Sequence, residues 1–170
     1  RQGLSPTVTF PRVLGIECVG VVTDSTTPTL VSGQKVAALM GGMGREFNSG
    51  YAEYVLLPND RIWPVHTSLT WEEFGAVPET FVTALGSIKQ LRLRADSRLL
   101  VRAATSGVGV ATIQLVRALY PNAVIAGTTR NESKFDTLKA LGCDEVILEE
   151  AHNVIHSDEK FDCVLDLIGP

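Results

Sequence analysis

Short apolar runs alternate with longer stretches of helical period along the second half of the chain. Arg98–Val101 suits a short buried strand. Val108–Leu119 is apolar nearly all round, with Gln114 and Arg117 as exceptions, and Pro121 stops it. Ala123–Ala126 reads as the next buried strand. Asn131 can cap a following helix, whose apolar face is Phe135, Leu138 and Leu141 and whose end is Gly142. Glu145–Leu148 and Cys163–Asp166 read as two more strands. Strands and helices alternating at these lengths predict a parallel sheet with right-handed crossovers.

The first seventy residues follow a different rhythm. They are richer in Pro and Gly and carry no convincing amphipathic helix. Val13–Val22 reads as a long strand with Gly15 and Gly20 at bends or bulges. Val31–Leu39 reads as a turn and a strand, Gly41–Gly44 as a loop, and Tyr51–Leu57 as another strand. Ile62–Pro64 suits a short edge strand. Short strands separated by turn signals predict an antiparallel barrel or sandwich. Helical pattern begins at Trp71, and Thr80–Leu91 reads as the helix leading into the second half. We place the domain boundary there, giving 1–70 and 71–170.

The turn after Arg98–Val101 carries the chemistry. It reads Ala103-x-x-Ser106-x-x-Gly109, with Gly107 between. The usual dinucleotide fingerprint has three glycines. Small residues still stand wherever backbone must pass close to a phosphate. Thr105 and Ser106 add hydroxyls, and the helix that follows offers N–H groups and a positive dipole end. We therefore assign Ala104, Thr105, Ser106, Gly107, Val108 and Gly109 to a dinucleotide site. Such a turn also occurs simply to pack a helix against a strand. The end of the second strand favours the nucleotide. A carboxylate there would accept from a ribose 2′-hydroxyl; this chain has Thr128, Thr129 and Arg130, with Lys134 one helical turn on. Cations attract a 2′-phosphate. Thr129, Arg130 and Lys134 are thus assigned to NADPH, although two solvated surface cations would look the same.

Composition narrows the function classes. The chain has 170 residues with a net charge of −4 and no basic block, so electrostatics gives no support to nucleic-acid or membrane-surface binding. No run has the length of a membrane span, and no cleavable signal is visible. We expect a cytoplasmic protein. Cys18, Cys143 and Cys163 are widely spaced and form no CxxC; Cys18 and Cys163 lie in apolar runs that suit buried thiols. His152 and His156 stand four apart near Glu149 and Asp158, where a solvated face is a simpler reading than a metal site. Arg1 begins in mid-loop and Gly169-Pro170 follows a strand directly, so we expect a fragment.

Five segments, in order, resemble the medium-chain dehydrogenase/reductase superfamily. They are Phe10-Pro-x-x-Leu-Gly-Ile-Glu-x-Val-Gly20, Gly33-Gln-Lys-Val-Ala37, Gly50-Tyr-Ala-Glu-Tyr-Val55, Val77-Pro-Glu-Thr-x-x-Thr-Ala84 and the Thr-Ser-Gly-Val-Gly turn. Together they span nearly the whole chain. The resemblance is to the zinc-independent NADPH:quinone oxidoreductase-like branch. It implies an α/β protein: a partial GroES-like β-barrel catalytic domain followed by a partial Rossmann domain with a doubly wound parallel sheet. It further implies missing N-terminal strands and missing last Rossmann strands. It also allows a homodimer of the full-length protein.

Zinc separates the branches. Zinc alcohol dehydrogenases carry Gly-His-Glu where this chain has Gly15-Ile16-Glu17, and Ile cannot bind a metal. Another family ligand falls near Glu79, but one carboxylate makes no site. We expect NADPH without zinc. Lacking a Lewis acid, the chemistry suits an acceptor that takes hydride readily, a quinone or an enone. The resemblance places Thr83 near the nicotinamide; Thr83 also fits a helix-interior Thr bonded back to a carbonyl. No catalytic residue is assigned, Tyr51 and Tyr54 being read as strand aromatics. Two other functions fit the same features: an enoyl-thioester reductase, free-standing or within a synthase, and an NADPH-binding structural or sensing protein with negligible turnover.

Overall fold

The computed structural model describes residues 8–149 and 160–169. The chain divides into two compact units, Arg1–Glu79 and Thr80–Pro170.

The first unit is built on an antiparallel sheet of order β1-β2-β3, formed by Glu17–Val21, Lys35–Leu39 and Trp63–Pro64. β1 and β2 pair from Glu17↔Leu39 to Val21↔Lys35, and β3 adds Ala37↔Trp63 at the edge. Pro64 is tolerated there because an edge strand need not donate on both sides. Ala37 and Ala38 of β2 are buried, as are Val22 and Leu30.

Two strand expectations need correction. The strand expected over Val13–Val22 covers only Glu17–Val21. Gly15 breaks it, with φ +115° and a backbone so close to Gly50 that a Cβ would lie 2.9 Å from the Gly50 nitrogen. The strand expected over Tyr51–Leu57 does not form. Those residues stand across a cavity of about 640 Å³ from β1, and Leu56 is 92% exposed. An apolar run without a neighbouring strand leaves the backbone groups with no ladder to join. Among the described residues the sheet is therefore open, not a closed barrel.

Helix α1 (Trp71–Gly75) starts where the sequence predicts, fixed by a capping box. The Thr70 hydroxyl accepts the Glu73 amide at 3.3 Å, and the Glu73 carboxylate accepts the Thr70 amide at 3.0 Å. Helix α2 (Pro78–Leu91) begins two residues before the expected start, at a proline suited to the first helical position. The Glu17 carboxylate accepts the Glu79 amide at 2.9 Å and so satisfies one of the orphan donors of that first turn.

The second unit is a parallel sheet of order β6-β5-β4-β7. Its strands are β4 (Arg98–Val101), β5 (Val124–Thr129), β6 (Glu145–Leu148) and β7 (Cys163–Leu165). β4 and β6 match their expected spans; β5 runs three residues beyond Ala126, carrying Gly127, Thr128 and Thr129 into the sheet. Helices α3 (Gly107–Leu119) and α4 (Phe135–Leu141) pack on it. Leu99, Val101, Ile113, Val116, Ile125 and Leu138 form the core of the unit. Asn131 caps a 3₁₀ turn over Glu132–Lys134 that precedes α4, accepting the Ser133 amide at 3.0 Å. Gly142 ends α4 at φ +117°, as expected.

Arg117, an exception to the apolar pattern of α3, has a structural partner. Its guanidinium donates to the carbonyls of Gly142 (2.6 Å) and Ala123 (3.0 Å) and meets Asp144 at 2.7 Å. Cys18, Cys143 and Cys163 are free thiols. The burial expected of Cys18 and Cys163 falls instead on Cys143; the other two are half-buried. Cys143 sits inside because Gly127 leaves room for its sulfur.

Candidate functional site

All the predicted site residues except Thr83, which lies on α2, stand at or after the carboxyl ends of β4 and β5. β4, β5 and β6 follow one another in one direction across the sheet, and β7 joins on the other side of β4. The strand order reverses between β4 and β7, and ligands of open α/β sheets bind in the crevice outside such a switch point.

The turn after β4 is held by backbone. Ala103 adopts φ +53°, left-handed, where the common fingerprint has glycine. Its N–H donates to the Thr128 hydroxyl at 3.2 Å, and the Ala104 N–H donates to the Thr128 carbonyl at 3.0 Å. Ser106 is the N-cap of α3; its hydroxyl accepts the Gly109 amide at 3.1 Å. Ala104 and Gly109 are buried, Ser106 and Val108 half-buried, and Thr105 and Gly107 exposed. A Cβ on Gly107 would lie 3.6 Å from Thr80, so the turn faces the early part of α2, which carries exposed Thr83 one turn further on. Thr83 and the turn are thus brought to one region.

At the end of β5 the two threonines are buried and structural in their contacts. Thr129 accepts the Asn131 amide at 3.2 Å. Arg130 and Lys134 are exposed, and among the described residues Arg130 has no ion-pair partner.

Sequence reasoning missed the polar chain beneath this turn. Arg102, directly after β4, donates to Glu149 at 2.5 Å and to Asp166 at 2.6 Å. Glu149, following β6, is 4% exposed and also accepts the Thr128 hydroxyl at 2.9 Å. The Glu149 carboxylate, hydrogen-bonded to it, raises the Arg102 pKa and holds the guanidinium protonated. Amides of Ile168 and Gly169, helped by Arg102, hold the Asp166 carboxyl below the ordinary carboxylate range. The available signal was that three apolar runs each end in a charged residue.

The backbone around the turn fits a dinucleotide. A Cβ on Gly109 would stand 2.6 Å from the Ala103 carbonyl oxygen, so the close helix-to-strand approach that the fingerprint requires is built in. Residues for zinc are a poorer match. Ile16 offers no donor, and among the described residues no group of three or more His, Cys, Asp and Glu could hold a metal ion. His152 and His156 lie outside the described residues.

No protein-family model matches the chain. A polyketide synthase of Streptomyces halstedii is 31% identical over 165 residues, covering 94% of this chain and 3% of the synthase. A putative quinone oxidoreductase of Bacillus subtilis is 31% identical over 146 residues, covering 83% of this chain and 43% of that protein. The crystal structure of this Bacillus protein, with NAD bound, superposes with a TM-score of 0.74 at 28% identity, covering 85% of this chain and 45% of that one. The quinone oxidoreductase from Coxiella burnetii gives a TM-score of 0.79 at 27% identity, covering 94% of this chain and 50% of that one. The chain therefore spans half or less of the length of each of these proteins.

Proposed function

From relatives and structural neighbours that are quinone oxidoreductase-like proteins of the medium-chain dehydrogenase/reductase superfamily, we propose that this chain serves a zinc-independent oxidoreductase. It passes hydride from NADPH to a quinone or an α,β-unsaturated carbonyl compound. The observation that carries this reading is the tight turn at Ala103–Gly109 with Arg130 exposed at the end of the neighbouring strand.

The roles of the chain's residues follow from their places. Within residues 104–109 the Ala104, Ser106 and Gly109 amides hold the turn in shape, and the α3 N-terminus, with the Gly107 and Val108 amides in its first turn, faces a pyrophosphate. The Ser106 hydroxyl is engaged in capping and its N–H donates to the Ala103 carbonyl at 2.9 Å, so Ser106 shapes the turn. Arg130 and Lys134 supply positive charge for a 2′-phosphate, and no carboxylate of β5 opposes it. Thr83 is assigned to the nicotinamide by the family resemblance, and its helix faces the turn through Thr80. When bound, NADPH supplies the hydride. The protein's part is to hold the acceptor within reacting distance and exclude water.

A second reading rests on the synthase relative, which matches nearly all of this chain. By that reading the acceptor is an enoyl thioester. Both readings share the cofactor site and differ in acceptor.

The test is a calorimetric titration with NADPH and NADH, followed by NADPH absorbance decay with a quinone, an enone, an enoyl thioester and an aldehyde, with and without chelator. Preference for NADPH with chelator-resistant turnover of the quinone or enone is the expected result. Turnover of the thioester alone selects the second reading. Tight NADPH binding without turnover indicates a structural or sensing role, and chelator-sensitive aldehyde reduction overturns the zinc-free assignment.

A further inference from the structure

We propose that Arg102 is a positioning residue for the phosphate-binding turn, acting through a polar chain that ties the ends of all four parallel strands. The inference rests on the nucleotide reading above and adds how the turn is kept in shape.

The chain runs in sheet order. Glu149 follows β6, Thr128 lies on β5, Arg102 and Ala103 follow β4, and Asp166 follows β7. The Thr128 hydroxyl has one proton, which goes to the Glu149 carboxylate at 2.9 Å. Its oxygen is thereby turned to accept the Ala103 amide at 3.2 Å. That contact and the Ala104 amide bond pin a residue at φ +53°, a conformation alanine leaves when unheld.

Glu149 can orient Thr128 only while its own charge is matched. Its side chain is 1% exposed, and a carboxylate that deep needs a cation. Arg102 is that cation. Its planar fork also reaches Asp166 on the far side of the switch point, where the other Asp166 oxygen accepts the amides of Ile168 (2.9 Å) and Gly169 (3.3 Å). One guanidinium therefore sets the turn after β4 and the turn after β7, the two strand ends that flank the crevice.

The experiment measures NADPH affinity by calorimetry, well below the melting midpoint, for the parent, R102Q, E149Q, R102Q/E149Q and E149Q with A103G. Circular dichroism melts run in parallel. Each single substitution should weaken NADPH about tenfold or more, and the double should be no worse than the worse single. Glycine at 103 should recover at least about threefold in the E149Q background, because glycine takes φ > 0 without the tie. Arg102→Lys keeps the charge but cannot fork between two carboxylates; it should fold even if R102Q does not, and it should weaken NADPH likewise. If the single variants, R102K included, melt earlier yet bind NADPH within about twofold of the parent, the tie is only structural and the proposal is wrong. No recovery from A103G also overturns it. A parent that binds no NADPH overturns the nucleotide reading and this inference together.

Discussion

A Cβ built on Gly109 would stand 2.6 Å from the carbonyl oxygen of Ala103 and 2.7 Å from that of Ala104. The first turn of α3 thus rests directly on the backbone of the preceding strand end, and no flexible side chain can yield. Gly109→Ala must push the helix away from the turn. Overpacking of this kind costs roughly 1–3 kcal/mol. The expected outcome is a lower urea midpoint together with loss of most NADPH affinity, read by denaturation and calorimetry. A variant with parental stability and affinity would show that the close approach is not needed.

Arg130 offers a test of cofactor choice that leaves the fold alone, because it is exposed and unpaired among the described residues. Removing a charge-assisted contact to a 2′-phosphate costs about 1.5–3 kcal/mol. Arg130→Ala should therefore weaken NADPH about 10- to 100-fold while NADH affinity stays nearly unchanged. Equal losses for both cofactors would remove Arg130 from the 2′-phosphate site.

The second unit was more legible in the sequence than the first, for a physical reason. A parallel strand buried on both faces is a short apolar run, and its helices carry their own stop signals, so β4, β6 and the end of α4 at Gly142 fell where expected. Antiparallel strands depend on partners that sequence rhythm does not reveal. Tyr51–Leu57 is rich in apolar and aromatic side chains and forms no strand. The turn residues were visible because their small size is itself the signal. The tie through Arg102 was hidden because it joins strand ends 47 and 64 residues apart in sequence. Arg117 was hidden likewise, since only the fold brings Asp144 to it.

Asp144 should make stability depend on acid pH. Burial alone would push its carboxyl up, but the Ile125 amide at 2.8 Å and the Arg117 guanidinium hold it below the ordinary carboxylate range. The folded state therefore binds its proton less tightly than the unfolded state. Its contribution is fully present above the unfolded carboxylate value, about 3.9, and disappears as pH falls through the lower folded value. Half of the side chain faces solvent, so the contribution is screened and modest. Asp144→Asn should be less stable than the parent at pH 7, with the gap closing below about pH 4. Urea melts across pH 2.5–7 measure this, and a gap independent of pH would assign the effect to shape rather than charge.

Cys143 should be the slow thiol of the three. Burial, the dominant cause, and the neighbouring Asp144 charge push its pKa up to about 11, against the lowering effect of Arg117. At pH 8 only about one molecule in a thousand would then carry the reactive thiolate. Alkylation followed by peptide mass spectrometry should find Cys143 unmodified in the folded protein and modified promptly in urea. The same shift has a consequence for stability. A raised folded pKa means the folded state keeps its proton better, so the contribution is intact below the unfolded thiol value and is lost as pH rises toward about 11. Cys143→Ser should narrow that alkaline loss, although the polar hydroxyl beside Gly127 will lower stability at neutral pH. Rapid labelling of Cys143 at pH 8, at a rate independent of added urea, would mean that the α4–β6 corner opens far more readily than its packing implies.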